Sequence, residues 1–320
     1  MDSNRGKKVL VIHNPVSGVG NPELLERLVQ REIESMGWKS DYHRTTSDEN
    51  LSELVNQIKD GYDLVIAAGG DGTISGVAAG LANSSIPLGI LPSGTWNAIA
   101  RHLLIPLNLN RALALILGEH QLTTLDLMQV GTRTHAMNLT IGFSVAMIQN
   151  TGRQEKRRFG VFAYFGNVIS QLFGLKLKRY NLVVDGVPYK VRASEIVVAN
   201  YGLIGLRHLE ELLEIHPDDG KADVFVVRAR TILDFPDLVW RVFIKREKQT
   251  PIVRIFPGCQ EIRISSTSPA VVQADGDIIG STPVEIKVIP RCVQVIIPAP
   301  RKGILPEIEF LNPLFHPPER

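Results

Sequence analysis

A glycine-rich loop, Gly69-Gly-Asp-Gly-Thr73, follows an apolar run that ends at Ala68, and a predicted helix begins at its last residue. Glycines let a backbone approach a phosphate closely, and the free N–H groups at a helix start favour an anion. Asp71 would repel a phosphate, so it is better suited to bind a phosphate-bound Mg²⁺ or to act as a base toward a hydroxyl. A tight turn in which Asp71 caps the helix is the alternative.

A second loop, His13-Asn-Pro-Val-Ser-Gly18, directly follows the short apolar run Val9–Ile12. Asn14, Ser17 and the Gly18 backbone could surround a nucleotide or its phosphates. An Asn-Pro turn that only closes a strand–helix unit would have the same sequence. Alone, this loop is a weak signal.

The third loop, Pro92-Ser-Gly-Thr-Trp-Asn97, also lies between a predicted strand and a predicted helix. Thr95 and Asn97 lie at the predicted helix start, where side chains and free N–H groups can contact a nucleotide. Arg101, one turn later, could neutralise phosphate or could be an ordinary solvated helix residue.

The elements that must position these loops alternate along the first third of the chain. Predicted strands at 9–12, 39–44, 63–68 and 86–91 alternate with helices that begin near residues 22, 49, 73 and 95. This alternation predicts a doubly wound parallel sheet covered on both faces, over residues 1–125. Ligands of such sheets bind at the carboxyl ends of the strands, where all three loops lie.

After about residue 125 the pattern changes to short strand-like runs separated by Gly, Pro and Asp turns. The runs are 181–184, 194–199, 222–228, 254–256, 261–265, 270–274, 284–288 and 293–297. They predict an antiparallel β-sandwich or barrel over residues 126–300, with one inserted helical segment near 159–175. The tail, residues 301–320, is rich in proline and is not assigned.

Composition excludes several classes of protein. Hydrophobic residues are 44% and charged residues 21%, values typical of a globular chain and not of a disordered, collagen-like or coiled-coil one. The net charge is only +2, which argues against an obligate nucleic-acid binder. The uncharged and largely apolar run Phe159–Leu175 is interrupted by Asn167, Ser170 and Gln171 and is shorter than the about 20 residues of a spanning helix. With no signal peptide and only two cysteines, we expect a cytoplasmic protein without a transmembrane segment.

Together, the three loops resemble the catalytic domain of the diacylglycerol kinase superfamily, which includes bacterial diacylglycerol kinases and the sphingosine kinases. The resemblance extends over most of the chain. It implies transfer of the γ-phosphate of ATP, with Mg²⁺, to the hydroxyl of a lipid such as diacylglycerol or a sphingoid base. The nucleotide contacts that it implies are Asn14, Ser17, Gly18, Thr45, Gly69, Gly70, Asp71, Gly72, Thr73, Thr95 and Asn97.

One segment of the second half, Leu213–Val224, resembles the part of this family that holds a structural Mg²⁺. The implied ligands are the Asp219 carboxylate and the carbonyl oxygens of His216 and Lys221. Oxygen ligands from one tight turn suit a hard cation that keeps several waters. A β-turn at Asp219 and the glycine after it is an equally good interpretation.

Another segment, Gln273-Ala-Asp-Gly-Asp277, resembles the family's Asp-Gly-Glu, whose acidic third residue is assigned as the general base. Asp277 is one methylene shorter than that Glu, so a water or a backbone shift would have to close the gap. A type I′ hairpin turn at the Asp-Gly pair is the alternative. Ala98 replaces an Asp of many bacterial members and is more like the sphingosine kinase branch, which leaves the acceptor open.

Seven basic residues and one acidic residue lie between Arg153 and Arg179, on either side of an apolar, aromatic run. Basic residues at the ends of an apolar helix suit docking on an anionic lipid surface, whereas a core helix with solvated ends is the alternative. The expected partner is a lipid substrate at a membrane surface, which implies peripheral membrane association. A homodimer is compatible with the sequence. The rival functions are a soluble-substrate kinase of the NAD-kinase type and a non-catalytic nucleotide- or lipid-binding protein.

Overall fold

The computed structural model describes residues 6–18, 21–47, 49–143, 145, 175–200, 218–231, 233–234, 240 and 250–299. The predicted helical segment near 159–175, apart from Leu175, and the tail 301–320 lie outside these residues. No helix in the described ranges is long and apolar enough to cross a membrane.

The first third of the chain alternates between strands and helices, as the sequence predicts. The elements are β1 (Lys8–His13), α1 (Pro22–Ser35), β2 (Lys39–Arg44), α2 (Leu51–Ile58), β3 (Leu64–Gly69), α3 (Asp71–Gly80), β4 (Leu88–Pro92), α4 (Ala98–His102) and α5 (Leu109–Leu117). Strands β1 to β4 pair in parallel in the order β2-β1-β3-β4. The prediction of a parallel α/β sheet is therefore confirmed.

Local sequence explains these elements. Every residue of β3 is buried, because a strand in a parallel sheet has both faces covered and its sequence is a continuous apolar run. Helix α1 begins at Asn21, whose side chain accepts a hydrogen bond from the Glu23 N–H at 2.9 Å, with Pro22 at the first helical position. The helix buries Val29 and Ile33 against the sheet.

The second half consists of antiparallel strands. They are β5 (Gln121–Val130), β6 (Arg133–His135), β7 (Asn138–Gly142), β8 (Lys178–Val184), β9 (Val187–Ala193), β10 (Glu195–Ala199), β11 (Ala222–Val227), β12 (Val253–Cys259), β13 (Glu261–Ser266), β14 (Val271–Ala274), β15 (Asp277–Ser281) and β16 (Val284–Ile297). One sheet has the order β12-β11-β10-β7-β14-β15. It packs on β8, β9, β13 and β16 through one apolar core, to which Tyr180 and Ile262 contribute from one side and Leu139 and Val224 from the other. The predicted β-sandwich is confirmed.

Strand β16 joins the two halves. It pairs with β13 and along its length with β5, and its Val295 lies beside Leu88 of β4 in parallel register. The ten-stranded sheet is therefore continuous from the α/β half into the sandwich. The sequence predicts two separate strands here, which is wrong: the irregularity in register between Ile289 and Val293, where Arg291 has a positive φ of 49°, bends a single strand.

Candidate active site

The three predicted loops lie in contact with one another at the carboxyl ends of β1, β3 and β4. The Asn14 Nδ2 donates to Thr73 Oγ1 at 3.2 Å, which joins the first loop to the second. The hydroxyls of Ser17 and Ser93 lie 3.0 Å apart, which joins the first to the third. The Ser93 N–H also donates to the carbonyl of Gly69 at 3.0 Å. The structure thus brings together side chains from all three loops.

Glycines are required where these loops approach each other. Gly18 has a φ of 93°, and a Cβ there would overlap the carbonyl oxygen of Ser93. A Cβ on Gly94 would lie 2.5 Å from the Cα of Gly70, closer than real side chains allow. In contrast, a Cβ on Gly72 would meet nothing within 4 Å. The backbone at Gly72 therefore borders open space, as a phosphate-binding loop requires.

Asp71 is the first residue of α3 and is partly exposed. Its Oδ1 accepts a hydrogen bond from the N–H of Ile99 at 3.0 Å, so this carboxylate caps the neighbouring helix α4 and not its own helix. Among the described residues its other oxygen, Oδ2, has no hydrogen-bond partner. Asp71 is thus held in place through one oxygen, and the second remains available for a metal ion or a hydroxyl.

Asn97 has a different environment from the one expected. Its Oδ1 accepts from the Gly94 N–H and its Nδ2 donates to the Gly94 carbonyl, both at 2.8 Å, and the residue is buried. Helix α4 begins after it, at Ala98, and Thr95 lies in the preceding bend. The Arg101 Nε donates to the carbonyl of Trp96 at 2.9 Å. Asn97 and Arg101 therefore shape the third loop, which presents Thr95.

Thr45 lies beside the first loop, directly after β2. Its N–H donates to the carbonyl of His13 at 2.8 Å, and the residue is almost fully buried. The His13 Nδ1 lies 2.7 Å from the hydroxyl of Tyr42, which donates to it when Nδ1 carries no proton. Burial, together with the charge of Arg44, lowers the pKa of His13, and burial raises the pKa of Tyr42. Both side chains therefore favour their uncharged forms.

We expect the free energy of unfolding to decrease as the pH falls below about 6.5, the ordinary pKa of histidine. The folded state disfavours a proton on His13, whereas the unfolded chain accepts one, so acid favours unfolding. In urea titrations, the free energy of unfolding should fall less between pH 7 and pH 5 for His13→Gln than for the wild type. The partly exposed His120 provides the control variant, His120→Gln, which should keep the wild-type pH dependence. An equal loss of unfolding free energy in all three proteins would contradict the assignment of this pH dependence to His13.

The turn predicted to hold Mg²⁺ is described only from residue 218, so His216 lies outside the described residues. Asp219 and Lys221 are exposed, and the Asp219 Oδ1 accepts from the Lys221 N–H at 2.9 Å. Behind the turn, the fully buried Asp126 accepts from the N–H groups of Gly220 at 2.5 Å and Arg291 at 2.6 Å. Burial raises the pKa of Asp126, although these two N–H groups act in the opposite direction.

In the described part of the chain no cluster of three His, Cys, Asp or Glu side chains could hold a metal ion. The turn instead offers one exposed carboxylate and main-chain carbonyl oxygens. This donor set fits a hard cation that keeps most of its waters. The three predicted ligands therefore stay a prediction.

Asp277 is the exposed first residue of β15. It follows the hairpin turn at Asp275 and Gly276, whose φ values of 50° and 97° are those of the type I′ turn considered above. The turn lies against α3, because the Ser75 hydroxyl of that helix donates to the Asp275 carboxylate. Asp277 thus lies close in sequence to a residue that contacts the helix of the glycine loop.

Sequence reasoning missed several residues of this region. Ser93, Ser75 and Asp126 bond to groups that are far away in the chain, so nothing local distinguishes them. Asp275 was noticed only as part of a turn. A partial signal for Asp126 is a lone carboxylate within an otherwise apolar stretch, Leu125 to Met128.

Comparison with known proteins agrees with this arrangement. Residues 8–130 match the diacylglycerol kinase catalytic domain, and residues 139–297 match the YegS C-terminal NAD kinase beta sandwich-like domain. A Staphylococcus haemolyticus protein named as a putative lipid kinase is 30% identical over 242 residues, which cover 73% of this chain and 76% of the relative. The chain belongs to the diacylglycerol kinase catalytic-domain superfamily.

Other members of this superfamily match over more of the chain. A Staphylococcus epidermidis protein, also named as a putative lipid kinase, is 26% identical over 294 residues, which cover 89% of this chain and 91% of the relative. An uncharacterized protein of Synechocystis is 29% identical over 306 residues, which cover 90% of this chain and 70% of the relative. A crystal structure of a putative diacylglycerol kinase from Bacillus anthracis superposes with a TM-score of 0.74 at 22% identity, and covers 92% of this chain and 98% of that one. The superposition shows a shared fold.

Proposed function

We propose that this protein is a lipid kinase that transfers the γ-phosphate of ATP to the hydroxyl of a lipid such as diacylglycerol or a sphingoid base. The observation that carries the proposal is the mutual contact of the three loops at adjacent strand ends, where the backbone of Gly72, at the start of α3, borders open space. Parallel sheets bind their ligands at this edge. A site made of N–H groups and small polar side chains suits a polyphosphate.

Each residue has a distinct role in the proposed reaction. Asn14, Ser17, Gly18, Thr45 and Thr95 hold the nucleotide, together with the glycine loop 69–73. Asp71 orients the acceptor hydroxyl or the Mg²⁺ that accompanies ATP. Asp277 takes the proton of the hydroxyl, through a water because of its short side chain. As the bond from the acceptor oxygen to the γ-phosphorus forms, the bond to the β,γ-bridging oxygen breaks and ADP leaves.

A bound Mg²⁺ supplies charge neutralisation of the phosphates at the nucleotide and structural support at the second site. At the nucleotide, the free oxygen of Asp71 is suited to it. At the second site, Asp219 and the carbonyls of His216 and Lys221 would hold it. Asp126 orients that turn from behind through the Gly220 N–H.

In the proposed function, the protein reaches its lipid by binding to an anionic membrane surface. Of the seven basic residues from Arg153 to Arg179, the first four lie outside the described residues, whereas Lys176, Lys178 and Arg179 are described. Arg179 lies directly opposite Arg192 on β9, and Lys190 lies opposite Asn181. Like charges opposite each other repel, and an anionic membrane would offset this repulsion. These residues support peripheral membrane binding.

The test is transfer of labelled γ-phosphate from ATP, with Mg²⁺, to a mixed lipid extract that is then separated by chromatography. A labelled lipid band is the expected result, and its mobility identifies the acceptor. Label in a water-soluble product would instead favour a soluble-substrate kinase of the NAD-kinase type. ATP binding without transfer to any acceptor would favour a non-catalytic binding protein.

A further inference from the structure

A buried carboxylate, that of Asp275, lies between the two halves of the protein. Its Oδ1 accepts from the N–H groups of Met137 at 2.9 Å and Asn138 at 3.1 Å, and its Oδ2 accepts from the Ala136 N–H at 2.8 Å. The side chain is only 7% exposed. Three successive amides before and at the start of β7 therefore hold this single side chain.

The same carboxylate contacts helix α3 of the α/β half. The Ser75 hydroxyl donates to its Oδ2 and also accepts from the Ala136 N–H at 3.1 Å. Ser75 follows Asp71 by about one helical turn, in the helix that begins in the glycine loop. The His135 Nδ1 lies 3.7 Å from the carboxylate. One side chain thus bonds β7, the β14–β15 turn and α3 together.

Burial alone would raise the pKa of Asp275, but the nearby His135 imidazole and the hydrogen bonds from Ser75 and the Ala136 N–H hold this pKa below its ordinary value. The carboxylate therefore stays charged, and each of its oxygens accepts more than one hydrogen bond. Charged acceptors make stronger hydrogen bonds than neutral ones. The connection that Asp275 makes between β7, the β14–β15 turn and α3, called the junction below, is therefore rigid.

We propose that Asp275 is a positioning residue for phosphoryl transfer, which fixes the turn that carries Asp277 against the helix that carries Asp71. The inference rests on the proposed function, because Asp71 and Asp277 have their catalytic roles there. Loss of the junction would let the two carboxylates move apart while leaving the nucleotide loops intact. A displacement of about 1 Å at a reacting group can cost roughly 10²-fold in rate.

The chain contains a matched control for this residue. Asp185 and Gly186 form a turn between β8 and β9 with φ values of 48° and 82°, close to those at Asp275 and Gly276. The Asp185 Oδ1 also accepts two backbone N–H bonds, from Gln260 at 3.0 Å and Glu261 at 2.8 Å. This turn lies at the far end of the ten-stranded sheet from the α/β half. It has the same turn conformation and also accepts backbone N–H bonds, but its Asp is exposed and has no link to α3.

The experiment compares Asp275→Asn, Ser75→Ala and Asp185→Asn in the full-length protein. Asn tolerates the turn conformation and keeps one accepting oxygen, but its NH2 group cannot accept the hydrogen bonds that the second carboxylate oxygen accepts. For Asp275→Asn we expect kcat for lipid phosphorylation to fall roughly tenfold to a hundredfold, with the KM for ATP changed less than about threefold. Asp185→Asn keeps an oxygen that can accept both of its N–H bonds, and it should leave kcat within about twofold of the wild type. An equal loss of kcat in the two Asn variants would overturn the proposal.

Ser75→Ala keeps the three amide bonds and removes only the contact with α3, so it remains informative if Asp275→Asn does not fold. We expect it to lower kcat in the same way. The double variant should be little worse than Asp275→Asn alone, because both changes break one connection. A wild-type kcat in Ser75→Ala would overturn the proposal.

Hydrogen exchange separates failure of this inference from failure of the proposed function. In Ser75→Ala and in Asp275→Asn, exchange should become faster in both α3 and residues 136–138, whether or not any lipid is phosphorylated. Asp185→Asn should change neither segment. Unchanged exchange of α3 in the first two variants would show that the junction does not exist, even if the protein is an active lipid kinase.

Discussion

Replacing Asp71 with Asn should lower kcat for lipid phosphorylation by about 10³-fold while leaving the fold intact. The Asn side chain can still accept the hydrogen bond from the Ile99 N–H, so the start of α4 keeps its cap. The negative charge is lost, however, and with it the group that orients the metal ion or the acceptor hydroxyl. Steady-state transfer of labelled phosphate and thermal unfolding measure the two effects.

Asp63→Asn is the matched control for this change. The Asp63 carboxylate is exposed and accepts one backbone N–H bond, from Lys8 at 2.7 Å, just before β3 begins instead of after its end. The kcat of Asp63→Asn should stay within about twofold of the wild-type value. Turnover by Asp71→Asn at the control's rate would remove Asp71 from the mechanism.

Gly94→Ala should abolish most nucleotide binding, because the new methyl group would separate two of the three loops. The Cβ would lie 2.5 Å from the Cα of Gly70 and 2.9 Å from the Asn97 Oδ1. The first neighbour is main chain, and the second belongs to a buried side chain that is held by two hydrogen bonds to Gly94. Overpacking of this kind costs about 1–3 kcal/mol of stability. We expect kcat/KM for ATP to fall by at least about 10²-fold, since loop positions set the phosphate contacts.

Gly72→Ala separates two effects of a new methyl group, which are clashes within the protein and clashes with bound ATP. Its Cβ would meet nothing within 4 Å, and alanine favours a helix, so this variant should be as stable as the wild type or up to about 1 kcal/mol more stable. Any loss of ATP affinity in this variant arises from occupation of the open space beside the loop. Calorimetric titration with ATP and thermal unfolding distinguish the two variants. Wild-type ATP affinity in Gly94→Ala would contradict the proposed convergence of the loops.

The nucleotide half was predictable from sequence because its signals are local. Continuous apolar runs identify β1 and β3, Pro22 identifies the start of α1, and glycines mark each loop. Parallel topology then brings the loops to one edge of the sheet without further information. The convergence of Asn14, Ser17 and the glycine loop follows from these rules.

The remaining structure depends on contacts between distant residues. Strand β5 was not predicted because it carries the buried Asp126, and a carboxylate interrupts the apolar pattern that identifies a strand. That carboxylate is tolerated because N–H groups from Gly220 and Arg291 satisfy it, and both lie far along the chain. The inward-facing role of Asn97 was also missed, because its bonds depend on a left-handed backbone with φ of 49°.

The central position of β16 has a consequence for how this protein is made. Its partners β4 and β5 are synthesised long before it, and each keeps an unpaired edge until β16 leaves the ribosome. Exposed strand edges pair readily with other chains, and pairing between distant segments folds slowly. The nascent α/β half therefore cannot complete its sheet until β16 is made, and until then its open edges are sites where other chains could pair.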